Sequence, residues 1–105
     1  MGQVSAEGVS IAKRFTAELE KHNIHVQSVI LFGSHASGRQ YEWSDIDLAV
    51  VSNDFEGNPF SDRQKMAKAI WAVDTRVEPH PYRPEEFTED DLFVQEILKT
   101  GIKIV

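Results

Sequence analysis

Two aspartates, Asp45 and Asp47, stand two residues apart at the head of a hydrophobic run, Ile46 to Val51, that Asp47 alone interrupts. On an extended strand, residues two apart project from the same face with α-carbons roughly 6–7 Å apart, so both carboxylates can converge on one cation. A charge inside an apolar strand needs a reason, and paired hard oxygen donors suit Mg²⁺ or Mn²⁺. Upstream, the run Val26 to Phe32 enters Gly33-Ser34. There, exposed backbone N–H groups and the Ser34 hydroxyl can hold phosphate oxygens, and glycine allows close approach. Asp-x-Asp or Gly-Ser alone is common. A phosphate-holding turn joined to a metal-holding acid pair is what phosphoryl or nucleotidyl transfer requires, because that catalysis is mainly positioning and neutralisation of negative charge.

Residues around this core carry weaker signals. Arg39 can contact a triphosphate, although a single arginine in a polar loop is more often solvated. Ser44 reads as a turn or cap residue beside the aspartates rather than a nucleophile, since no His-Asp relay can be placed around it. His35 and His80 flank the site without a ligand-spaced partner and read as polar loop residues. Trp43 and Trp71 read as core or rim residues rather than base-stacking platforms.

The elements that must position these groups follow from periodicity. Ile11, Ala12, Phe15 and Leu19 have the spacing of an amphipathic helix ending near His22-Asn23. Val26 to Phe32 is a buried strand, Ser34 to Gly38 a turn opening a short helix, and Ile46 to Val51 a second strand. After a loop from Asn53 to Pro59, Ser61 and Gln64 have capping-box spacing, and Met66, Ala67, Ile70 and Trp71 supply the apolar face of a second long helix. Val73 to Glu78 reads as a third strand stopped by Pro79, Pro81 and Pro84. Thr88 caps a last helix with Phe93, Val94, Ile97 and Leu98 inward, Gly101 stops it, and Ile102 to Val105 forms a short strand.

A chain of 105 residues with 41% hydrophobic and 27% charged residues predicts one globular domain over residues 1–105. So small a domain leaves little material for separate substrate recognition, which points to a partner chain. The net charge of −6 argues against free nucleic acid as a ligand. The acidic cluster Glu85, Glu86, Glu89, Asp90 and Asp91 reads as a solvated helix start. No apolar run approaches the roughly 20 residues of a membrane span. Met1-Gly2-Gln3-Val4-Ser5 lacks the basic-then-apolar order of a secretory signal, and the absence of cysteine matches a reducing cytoplasm, so cytoplasmic localisation is expected.

The joint pattern, a hydrophobic strand, Gly33-Ser34, a polar connection, then Ser44-Asp45-Ile46-Asp47-Leu48 opening another hydrophobic strand, resembles the signature of the DNA polymerase β-like nucleotidyltransferase superfamily, in particular its minimal nucleotidyltransferases. The resemblance is specific at the motif and looser elsewhere, but the order of elements matches over most of the chain. It implies an α/β fold, a small mixed sheet of about four strands with helices mainly on one face. It also implies two Mg²⁺ ions, with Mn²⁺ as an alternative, held by Asp45, Asp47 and a third carboxylate on the next strand. Glu78, at the carboxyl end of the expected strand, is the choice, with Asp74 as the fallback; many family members carry Asp where this chain has Glu.

By the same resemblance Gly33 and Ser34 hold the β- and γ-phosphates, with Arg39 and Ser44 completing the nucleotide site. The implied reaction is attack of an acceptor hydroxyl on the α-phosphate of ATP or another NTP. The implied role is that of an antitoxin attaching AMP to a small helical HEPN-type partner. The alternatives are a non-catalytic partner-binding subunit, or transfer to a small molecule, which is disfavoured because such relatives carry an additional helical domain.

Overall fold

The structure, a computed structural model, describes residues 5–105. The amino-terminal segment read above for a secretory signal therefore lies, apart from Ser5, outside the described residues. The chain opens with α1 (Ala6–Lys21), whose N-cap Ser5 accepts a hydrogen bond from the Gly8 N–H at 2.9 Å. Glu7 in its first turn and Lys21 in its last complement the helix dipole. Ile11, Ala12, Phe15 and Leu19 are buried, as their spacing predicts.

Next come β1 (Val26–Phe32), α2 (Ser34–Ser37), β2 (Ile46–Ser52), α3 (Pro59–Lys65), α4 (Ala67–Val73), β3 (Val77–Tyr82), a 3₁₀ turn (Pro84–Glu86), α5 (Leu92–Thr100) and β4 (Ile102–Lys103). The sheet order is β3-β2-β1-β4, with β1 antiparallel to β2 and β4, and β2 parallel to β3. Period-two alternation divides its faces. Val29, Leu31, Ile46, Leu48, Val50 and Val77 join Phe15 and Leu19 of α1 and Ala69 of α4 in the larger core. On the other face Ile30, Phe32 and Ala49 form a smaller cluster with Ile97 of α5. The fold class is the expected one: a four-stranded mixed sheet with helices mainly on one side. Among the described residues no helix is long and apolar enough to cross a membrane.

Several element expectations need correction. The second long helix is two short ones meeting at Met66, whose N–H bonds Arg63 three residues back instead of continuing the four-residue ladder. Its start is set by Asn58, whose side chain accepts from the Phe60 and Ser61 N–H groups, with Pro59 in the first turn, rather than by Ser61. Met66 and Ala69 fill the core, while Trp71 is 79% exposed and belongs to no apolar face.

The third strand begins at Val77, not Val73, and runs through Pro79 and Pro81. β3 is an edge strand, so two prolines two residues apart can both turn their missing N–H to the open side and leave the ladder with β2 intact. The last helix is capped by Asp91, which accepts from the Phe93 and Val94 N–H groups, not by Thr88. Phe93 and Leu98 stay about half-exposed, although Phe93 still packs its ring against Phe32.

Candidate active site

β1 delivers the chain at Phe32 to Gly33, which has φ +77° and ψ −151° and starts α2. Only glycine takes this backbone without strain. A Cβ placed on Gly33 would fall 2.6 Å from Oδ2 of Asp47, so the turn is pressed directly against that carboxylate. The contact is set by register, since Phe32 pairs with Asp47 across β1 and β2. Gly33, Ser34 and Arg39 share an open cleft of about 530 Å³ with Ser37, Glu96 and Thr100.

Ser44 is not in that cleft. It is buried, its Oγ accepts from the Tyr41 N–H at 2.9 Å, and its own N–H donates to the Tyr41 carbonyl at 3.0 Å. It thereby closes the turn that sets exposed Asp45 just ahead of β2. Trp43, in the same turn, is exposed.

Ile46 and Leu48 enter the larger core, so Asp47 between them projects from the opposite face of β2. Its parallel neighbour on β3 is Glu78. His80, two residues further, shares that face. Its Nε2 lies 3.3 Å from Oδ1 of Asp47, and its ring packs on Phe32 at a centroid distance of 5.0 Å. Phe93 of α5 meets Phe32 edge-on at 5.8 Å. His80 is therefore a strand residue in contact with Asp47 rather than a loop residue. His35 is not a loop residue either: it is 1% exposed, packed under Gly8 of α1 with neither ring nitrogen hydrogen-bonded.

Arg63 of α3 grips both oxygens of Glu78, through Nη1 to Oε1 and Nη2 to Oε2, the latter at 3.1 Å. The hydrogen bond to Glu78 raises the Arg63 pKa above its ordinary value, partial burial opposes this, and the charges of Glu78 and Asp45 add to it. Buried Asp62 holds the start of this helix in place by accepting from the Glu56 and Gly57 N–H groups at 2.8 and 2.9 Å. Arg63, Glu78, His80 and Tyr82 line a second cleft of about 400 Å³.

Asp74 lies elsewhere. It caps α4 before β3 begins, and Arg76 occupies its carboxylate, with Nη2 at 2.9 Å, Nε at 3.1 Å and the backbone N–H at 2.8 Å. Hydrogen bonding from the Arg76 side chain holds its pKa below the usual carboxylate value, against the opposing effect of burial.

The donors are carboxylate oxygens with one imidazole alongside, a set chemically suited to Mg²⁺ or Mn²⁺. Among the described residues no three such side chains are gathered around a single point, and Glu78 is engaged by Arg63. Arg63 escaped the sequence reading. The Asn58-Pro59 cap would have placed it on a helix, but the crossing of α3 over β3 has no local signal.

A family model described as a nucleotidyltransferase domain matches residues 10–104. Among solved structures, the chain is similar to a toxin–antitoxin with AMP-PNP, at 26% identity and TM-score 0.63 over 87% of this chain and 70% of that one. It is also similar in fold to a candidate nucleotidyltransferase from Sulfolobus solfataricus, at 21% identity and TM-score 0.66 over 98% of this chain and 87% of that one. A third likeness of fold is to a mutant of the toxin–antitoxin MntA-HpeT, at 24% identity and TM-score 0.60 over 90% and 72%. No curated protein matches. With the family match spanning nearly the whole chain, and the Gly33 turn lying against Asp47 in the sheet, this protein belongs to the nucleotidyltransferase domain family.

Proposed function

We propose that this nucleotidyltransferase uses ATP and two divalent ions, Mg²⁺ or Mn²⁺, to attach AMP to a hydroxyl of a helical, HEPN-type partner protein, acting as the antitoxin of a toxin–antitoxin pair. The observation that carries the chemistry is the contact between Gly33 and Asp47, with Glu78 beside Asp47 in register. It supports a turn that would hold phosphate lying against the acids that would hold the metal. The biological role is supported by the likeness to the toxin–antitoxin with AMP-PNP, which carries an ATP analogue.

In this reading Asp45, Asp47 and Glu78 are the metal ligands. Ions bound there would neutralise the triphosphate and lower the pKa of the acceptor hydroxyl. The Gly33 backbone and the Ser34 hydroxyl hold the β- and γ-phosphates, and Arg39, which lines the same cleft, contacts them. Ser44 fixes the turn that presents Asp45, and His80 steadies Asp47 through Oδ1. The acceptor oxygen, with Glu78 assisting its activation, bonds to the α-phosphorus. The bond from that phosphorus to the bridging oxygen breaks, and pyrophosphate leaves.

The test is transfer of label onto the partner encoded beside this chain, with Mg²⁺ and ATP. Label in the α-phosphate should be incorporated and label in the γ-phosphate should not. A partner neutralised equally by wild type and by Asp47→Asn, with no α-label incorporated, would replace the enzyme by a binding subunit. Label moving to an added small molecule but never to protein would replace the acceptor class.

A further inference from the structure

Among the described residues, Arg63, Arg76 and Arg83 form close ion pairs with acids, and their wiring differs. Arg76 binds Asp74, Glu7 and the Glu42 carbonyl, and Arg83 binds Glu85 and the carbonyls of Asn53 and Phe55, so each ties backbone segments together. Among the described residues Arg63 bonds no backbone carbonyl, and its guanidinium is hydrogen-bonded to Glu78 alone. It comes from a seven-residue helix, it is half-exposed, and it faces the open cleft of about 400 Å³ beside Asp47's neighbours Glu78 and His80. Such an arrangement contributes little to the fold, since exposed ion pairs are weakly stabilising in water. It does decide who occupies Glu78.

We propose that Arg63 is a removable placeholder for the cation at Glu78 and, once displaced, a contact for the nucleotide's phosphates. This rests on the metal-site reading above. In the free protein its guanidinium offsets the repulsion among Asp45, Asp47 and Glu78. Both oxygens of Glu78 are in its fork, so a metal chelated by both oxygens of Glu78 must displace it. The released side chain stays beside the site, tethered by α3, while an incoming triphosphate brings new anionic oxygens. A guanidinium fork matches phosphate as well as carboxylate. Arg63 thereby favours metal that arrives with nucleotide over metal alone, which makes it a specificity-determining residue of this site.

The two roles have opposite signs, which a single variant separates. In calorimetric titrations of the full chain, Arg63→Gln should bind Mn²⁺ alone about two- to fivefold more tightly than wild type, the scale of releasing one exposed ion pair. The same variant should bind AMP-PNP with Mg²⁺ about two- to fivefold more weakly. In a Glu78→Gln background, Arg63→Gln should no longer tighten Mn²⁺ binding. Unchanged or weaker Mn²⁺ binding in Arg63→Gln, or unchanged nucleotide binding, overturns the proposal. Should circular dichroism show Arg63→Gln unfolded, Arg63→Lys carries the test, since it keeps the charge but loses the fork and must weaken nucleotide binding. Asp47→Asn separates the two levels: Mn²⁺ binding that survives it sinks the metal-site reading itself, whereas its loss leaves the Arg63 outcomes to judge the placeholder.

Discussion

β2 presents two different proteins on its two faces. Ile46, Leu48 and Val50 are fully buried against α1 and α4, in the larger core. Asp47, one residue from either Ile46 or Leu48, is part-exposed and touches Gly33 and His80. A one-residue slip would exchange these sets. The apolar face therefore fixes the register, and the register fixes which acids meet. The larger core packs one side of the strand, while the other side carries Asp47 next to the smaller cluster of Ala49, with only the backbone in common.

That division makes its largest prediction on activity. If the proposed function holds, Asp47→Asn should lower α-label transfer by at least about 10²–10³-fold, since it removes a charge that would position the metal and phosphates. Its melting temperature should stay level or rise, because Asp47 shares its face with Glu78 and follows Asp45. Leu48→Ala should do the reverse, costing about 2–5 kcal/mol in denaturant unfolding while the molecules that remain folded keep their turnover. A strongly destabilised Asp47→Asn, or a Leu48→Ala protein that is stable but inactive, would break the comparison.

Gly33 presses on the Asp47 side of β2, and it sharpens the contrast. With φ +77°, alanine there would be strained by about 1–3 kcal/mol, and its Cβ would press on Oδ2 of Asp47 at 2.6 Å. Gly33→Ala should therefore lose both stability and transfer, the latter by about tenfold or more as Asp47 is pushed aside. Thermal melts and label transfer measured on the same preparation check this. A variant that loses stability alone would mean that Asp47 has room to move and that the turn does not set its position.

Much of this arrangement is legible in sequence because it is local. The period-two run of β2 and the Gly33 turn depend on neighbours within a few residues, and both lie where the spacing predicts. β3 was misplaced because prolines are read as strand breakers, a rule that an edge strand evades. Carrying the strand on to Tyr82 would have put His80 on the face of Glu78 from period alone. The Arg63–Glu78 pair lies beyond such rules, since it depends on how the loop braced by Asp62 aims α3 across β3. Trp71, expected on the apolar face of its helix, shows the same limit: the break at Met66 rotates α4 relative to the helix that the sequence suggests.

The smallest effect concerns the acid that lies outside the site. Asp74 and Glu78 are both paired with arginine, but Asp74 is bound by three groups of Arg76 at the junction of α4 and β3, and its pKa is held below its ordinary value near 3.8. The Arg76 side-chain hydrogen bond is the leading cause; the Arg76 backbone N–H and the charges of Arg76 and Arg14 reinforce it against burial. A carboxylate whose pKa is depressed on folding adds stability above its unfolded pKa and loses it as pH falls through the folded value. Wild type should thus exceed Asp74→Asn by on the order of 1 kcal/mol at neutral pH, and the gap should close as the pH drops below about 4. Nucleotide binding at neutral pH should not change, because Asp74 faces neither cleft. Melting curves from pH 7 to pH 3 decide the matter: a gap that stays constant across that range would show that Asp74 acts through its shape as a helix cap, not through its charge.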